Sequence, residues 1–228
     1  YKHEHHVFYF TNSTRRRANL VWVHRMNDIT PVRLIVGLGN PGNEYSQTRH
    51  NAGFWLVDEV LRRFSGGTTL TEETKFHGHT GQILIGSQMC RLLMPNTFMN
   101  RSGLSVASLA NFYKIEPEAI LVAHDELDIA PGTVRLKVGG GHGGHNGLRD
   151  IISSLGNQKQ FGRLRIGIGH PGNAKQVSNF VLKKAPATEH EWIEDSVREA
   201  ASQMEAIVKG DWQKVMNQMH SFNAADET

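Results

Sequence analysis

An α/β fold in a single domain is what this sequence predicts, and three observations carry the prediction. Short apolar, β-branched runs alternate with segments of helical periodicity. The 228 residues suit one medium domain able to bury a real core, and no repeat or low-complexity linker divides them. The last forty residues read as helices closing the fold.

The elements follow in order. Val32 to Leu38, VRLIVGL, is a buried-strand pattern running into glycines. From Asn51, the residues Phe54, Val57, Leu61 and Phe64 recur at helical spacing, with Asn51 placed to cap the start and Gly66 to end the helix. Further strands are expected at Gly81 to Ile85, Cys90 to Met94, Ala119 to Ala123, Thr133 to Val138 and Leu164 to Gly169. Helices near Ser102 to Tyr113 and Asn146 to Leu155 interleave with them. Thr188 with Glu191 has capping-box spacing and opens an amphipathic helix bearing Trp192, Ala200, Met204, Ile207 and Val208; a shorter helix from Asp211 is expected to pack behind it.

Composition excludes several classes. No apolar run approaches the roughly 18 residues of a membrane span, so no membrane partner is expected. Cys90 stands alone, cannot form an internal disulfide, and is expected to be buried in a strand; a reducing compartment, the cytoplasm, is the expected location. The formal charge of +3 comes from the first 25 residues, where Lys2, Arg15, Arg16, Arg17 and Arg25 face Glu4 alone. That stretch lacks the continuous apolar core of a secretory signal. Met26 precedes the first strand, so residues 1–25 are expected to be a leader, either appended or disordered, with the domain running from 26 to 228. Within the neutral body, the stretch from Ile129 to Thr188 carries nine basic residues against Asp150 alone. A polyanion partner would fit that run, and so would acidic counterparts elsewhere in the fold, such as the acidic helix after Thr188.

Gly37, Gly39 and Gly42 have the G-x-G-x-x-G spacing of a dinucleotide turn, but Pro41 interrupts and NEYSQTRH lengthens the loop. No acidic residue closes a following strand, since Asp58 and Glu59 fall within the expected helix. The glycines are read as a tight turn presenting Asn40. His50, in TRHNAG, sits where that loop meets the helix. Taken alone, it would be a cap or surface histidine. Three other clusters combine glycine or a helix terminus with amides or carboxylates that have no evident packing role. AHDELD puts Asp125 at the C-terminal end of a strand, PNTFMNRSG puts Asn100 at a helix start, and GGGHGGHNG puts Asn146 at the end of a glycine loop. His77 with His79, or His142 with His145, could be metal pairs, but no carboxylate or cysteine at fixed spacing completes either, and no metal or cofactor is expected. A G-x-S-x-G nucleophile elbow is absent.

In order, GLGNPGNEY, TRHNAG, PNTFMNRSG, AHDELD, GGGHGGHNGLRD and RLRIGIGHPG resemble the bacterial peptidyl-tRNA hydrolases, over a stretch from about Arg33 to at least Phe180. The resemblance implies a monomeric single α/β domain with a twisted mixed sheet, flanked by helices on both faces, that hydrolyses the ester joining a peptide to tRNA. It implies His50 as general base, Asp125 as the carboxylate orienting it, and Asn40 as the residue separating peptidyl-tRNA from aminoacyl-tRNA. Asn100 and Asn146 match positions holding substrate main chain and water; Tyr45, Phe98 and Met99 match the groove wall. Arg135, Lys137 and Arg165 are the expected tRNA phosphate contacts, Arg135 standing where lysine is common in the family. A binding module of the same fold without hydrolysis, and a metal-dependent phosphodiesterase, are the alternatives.

Overall fold

The computed structural model describes residues 30–226, so the leader expected over 1–25 and the start at Met26 lie outside the described residues. Seven strands form one mixed sheet in the order β2-β3-β4-β1-β5-β7-β6. They are β1 (Leu34–Gly37), β2 (Thr71–Glu73), β3 (Gly78–Ile85), β4 (Gln88–Pro95), β5 (Ile120–Glu126), β6 (Val134–Val138) and β7 (Gly162–Gly167). β4, β1, β5 and β7 run parallel. β2 and β3 extend one side antiparallel, and β6 closes the other.

β1 is central and wholly buried, because both faces of the sheet are covered. Its side chains alternate between two cores. Ile35 packs with Leu56, Val57 and Val60 of α1 (Ala52–Phe64), and with Ile193 and Val197 of α5 (Ala187–Ser202). The same core takes in α6 (Met204–Lys209) and α7 (Trp212–Ser221). Leu34 and Val36 face the opposite way, to Val106 and Leu109 of α2 (Ser102–Tyr113) and Leu148 and Ile151 of α3 (Asn146–Ser154). A short α4 (Val177–Val181) lies between β7 and α5.

The differences from expectation have physical causes. Asn51 forms no cap bond on α1 because its side chain is used elsewhere. The buried stripe of α1 is Leu56, Val57 and Val60, leaving Phe54, Leu61 and Phe64 partly exposed. The Thr188 capping box does not form: α5 begins at Ala187 behind Pro186, which puts Thr188 inside the first turn, where it cannot act as a cap. The expected single helix through Val208 breaks at Gln203 into α5 and α6. Cys90 is buried as expected, its Sγ 3.2 Å from the Val32 carbonyl.

Candidate active site

The C-terminal ends of β1 and β5 lie side by side, and the polar motifs converge there. Asn40 follows β1, and His50 sits in a 3-10 turn, Arg49–Asn51, that leads into α1. Asp125 is the penultimate residue of β5. A close approach of backbones makes the meeting possible. A Cβ on Gly37 would lie 2.3 Å from the Gly53 carbonyl oxygen, and one on Gly53 would lie 2.4 Å from that of Ala123. Without side chains at these two positions, α1 drops onto the ends of β1 and β5 and carries His50 to Asp125. Of the three glycines read as a tight turn, only Gly42 has a positive φ, at 108°. Gly37 serves this contact, and Gly39 lies under the Phe54 ring.

His50 Nδ1 lies 2.9 and 3.0 Å from the two Asp125 carboxylate oxygens. Asp125 is acceptor-only when ionised, so Nδ1 carries the proton and donates, and Nε2 holds a free lone pair. His50 lines the cleft, and its Nε2 has no hydrogen-bond partner among the described residues. Burial opposes a charged imidazole, but the attraction and hydrogen bond of Asp125 outweigh it, raising the His50 pKa above 6.5. Asp125 is only 3% exposed. Its burial alone would favour the neutral acid, yet the two imidazoles, His50 and His145, hold its carboxyl far below the usual range.

His145 comes from the start of α3. Its Nε2 lies 2.9 Å from the same Asp125 oxygen that His50 approaches, and its Nδ1 accepts from the amides of Gly147 and Leu148. Among the described residues, His50, Asp125 and His145 are the only cluster with metal-ligating groups in mutual reach. Both histidine nitrogens in that cluster already bond the carboxylate, so an ion there would have to displace hydrogen bonds that the fold satisfies internally.

Asn40 is buried and its orientation is fixed. Its Oδ1 accepts from the Met99 amide at 2.8 Å, which settles which end of the side-chain amide points where. Its Nδ2 has no hydrogen-bond partner among the described residues, and Asn40 lines the cleft. The backbone of Asn40 is clamped in turn by Asn51, whose Oδ1 accepts from Asn40 N at 2.9 Å while its Nδ2 donates to Asn40 O at 3.0 Å. Asn51 is thus a site residue that the sequence reading took for a helix cap; a polar residue beside the base was the available signal.

The cleft has a volume of about 470 Å³ and takes in His50, Asp125, Phe98, Met99, Asn100 and Asn146. Asn100 and Asn146 are exposed in it, and Asn146 Oδ1 accepts from Arg149. Tyr45 stands behind Phe98, ring edge to face at 6.4 Å. The opposite wall, Ala174 to Leu182, was not expected from sequence. Arg49, next to His50, anchors that wall by donating to the carbonyls of Phe180, Lys183 and Lys184.

The three expected phosphate contacts lie apart from the cleft, on the β6–β7 edge. Arg135 pairs with Arg165 across the strands, and Lys137 with Arg163, on one face of the sheet. Arg135 donates to the carbonyls of Val134 and Met219, and Arg165 to Glu126. Glu126 lines the cleft, so it links the edge to the site.

Comparison with known proteins identifies the family. The family model described as peptidyl-tRNA hydrolase matches residues 34–227. A peptidyl-tRNA hydrolase of Saccharophagus degradans is 61% identical over 84% of this chain and 96% of its own length. One of Teredinibacter turnerae is 60% identical over 84% and 98%. The crystal structure of peptidyl-tRNA hydrolase from Acinetobacter baumannii superimposes with a TM-score of 0.81 at 52% identity, covering 84% of this chain and 96% of that one. On sequence and fold alike, the chain belongs to the peptidyl-tRNA hydrolase family.

Proposed function

We propose that this protein hydrolyses the ester between a peptide and the 3′-terminal ribose of tRNA, with His50 as general base, and so returns tRNA that leaves the ribosome early to use. The observation that carries the reading is His50 itself: Nδ1 committed to Asp125, Nε2 facing a cleft of about 470 Å³. Water attacks the ester carbonyl while Nε2 takes its proton, and Asp125 stabilises the imidazolium without being protonated. Collapse of the tetrahedral intermediate breaks the bond to the ribose oxygen, and His50 returns the proton to that leaving oxygen. No metal or cofactor enters this route.

Asn40 acts as the discriminator. With Oδ1 held by Met99, it offers the substrate only N–H donors. These suit the carbonyl of an N-blocked substrate and repel the ammonium of an unblocked aminoacyl ester. Asn100 and Asn146 hold substrate main chain and water. Phe98 and Met99, with Tyr45 behind Phe98, form a loose wall that accepts peptides of any sequence. Arg135, Lys137 and Arg165 contact tRNA phosphates, and the protein acts as a monomer in the cytoplasm. The deciding experiment is steady-state cleavage of an N-blocked aminoacyl-tRNA by the intact chain and by His50→Ala. A loss of ~10²–10⁴ in kcat is expected with the fold intact by circular dichroism. Near-full activity in His50→Ala would remove His50 as the base, and no cleavage by the intact chain would leave an RNA-binding module of the same fold.

A further inference from the structure

Asp125 serves two imidazoles, and the mechanism above uses only one. We propose that His145 is a positioning residue of the reaction: a neutral imidazole, locked in one tautomer by the first turn of α3, that donates to the Asp125 oxygen shared with His50 and limits how tightly that carboxylate holds His50 in its protonated form. This rests on His50 being the base.

The tautomer follows from the partners of the ring. Gly147 N at 3.1 Å and Leu148 N at 3.3 Å both donate to Nδ1. A nitrogen that accepts two amides carries no proton, so the ring proton is on Nε2, 2.9 Å from Asp125 Oδ1. A second proton would have to displace the cap of α3 and would sit against the positive end of that nine-residue helix. The neighbours oppose it too. The rings of His50 and His124 each lie 5.1 Å from that of His145. His124 donates from Nδ1 to the Asp125 carbonyl; burial, the largest influence on it, pushes its pKa down, so it stays neutral. The remaining charged or titratable groups at this end are Glu126 on β5, Arg163 on β7, His142 in the glycine loop and Arg149 on α3. Asp125 is the only one bonded to the outer nitrogen of His145. His50 is therefore the member of this cluster free to gain and lose a proton.

Removing the second donor leaves Asp125 to His50 alone. The imidazolium is then better stabilised, so His50 keeps its proton to higher pH. Two substitutions separate this effect from a merely structural one. His145→Asn retains an oxygen able to cap α3 but is too short to reach Asp125; His145→Gln extends an N–H towards Asp125 but gives up the cap. For His145→Asn, the acid limb of kcat/KM should move up by about 0.5–1 pH unit, a roughly three- to tenfold loss below the limb with the alkaline plateau kept. For His145→Gln, the limb should stay while the melting temperature falls. In the intact enzyme, imidazole ¹⁵N shifts of His145 should show a bare Nδ1 and a protonated Nε2 on the alkaline plateau. A limb unmoved in His145→Asn, activity that only tracks melting in both variants, or a His145 with its proton on Nδ1 would each overturn the proposal. A wild-type profile with no acid limb would instead count against His50 as base, and the ¹⁵N shifts would still decide the tautomer.

Discussion

Among His50, Asp125, His145, Asn40 and Asn51, side chains are tied to one another until two polar atoms are left unpaired, Nε2 of His50 and Nδ2 of Asn40. On the β6–β7 edge, four cations share one face, and the protein holds them by their stems and neighbours rather than by aim. Arg135 is partly buried and Arg163 buried there, and burial together with the repulsion of Arg165 lowers the pKa of both. Arg163 donates to the carbonyls of Gly140 and Gly141, and Arg165 is paired with Glu126 at 2.9 Å. Lys137 alone of the four is exposed with no hydrogen-bond or ion partner among the described residues. One region supplies direction, which chemistry needs. The other supplies charge, which a flexible polyanion can use from many poses. Damage to the first should appear in kcat, and damage to the second in affinity and its salt dependence.

The largest effect is expected from Asp125→Asn. An amide cannot accept from both imidazoles and keep both tautomers, so kcat should fall by ~10²–10⁴ while tRNA binding, measured by filter retention or fluorescence, changes little. Next comes Asn40→Asp, which keeps an acceptor for the Met99 amide but turns a carboxylate oxygen to the substrate. The kcat/KM ratio of unblocked to N-blocked aminoacyl-tRNA should rise ~10-fold or more. An unchanged ratio would remove Asn40 from discrimination. The double substitution Arg135→Gln with Lys137→Gln should weaken tRNA affinity and flatten the slope of its logarithm against log salt by about 1–2 units, while cleavage of a minimal nucleotide ester stays largely intact. Lys137→Gln alone should account for most of that, since the other cations have partners within the fold.

The smallest effect is on stability, and its sign is opposite to that on activity. The folded pKa of His50 is raised above 6.5, so its pairing with Asp125 stabilises the protein fully below the unfolded value and is lost as pH rises through the folded one. Compared with His50→Gln, the wild type should hold a melting advantage larger by roughly 1–3 °C at about pH 5.5 than at about pH 8.5. Activity should run the other way, since only the deprotonated base works.

The strands and the converging motifs were legible because they depend on local pattern: β-branched runs for β1 and β5, and polar residues at their C-terminal ends. What was missed depends on partners distant in sequence. Asn51 has the look of a helix cap, but its bonds go to a backbone eleven residues earlier, so tertiary context overrode the local preference. β2 is a polar edge strand, TEE, without apolar alternation to reveal it. α4 has five residues, too few for a helical period, and its role as cleft wall depends on Arg49 reaching across more than 130 residues of chain. His145 was visible in GGHNG but weighed only as half of a metal pair with His142. His142 caps its own loop at Gly144 N instead, and the partner that gives His145 meaning is twenty residues upstream. The spacing of Thr188 and Glu191 was correct for a box that Pro186 pre-empts.

The twin bonds from Asn51 to the backbone of Asn40 have a consequence for anyone seeking to redesign this cleft. The residue that would judge the substrate is held by the immediate chain neighbour of the residue that would activate water against it. Tilting the Arg49–Asn51 turn moves both together, so selectivity and speed are not independent dials: a variant that shifts the gauge also shifts the tool.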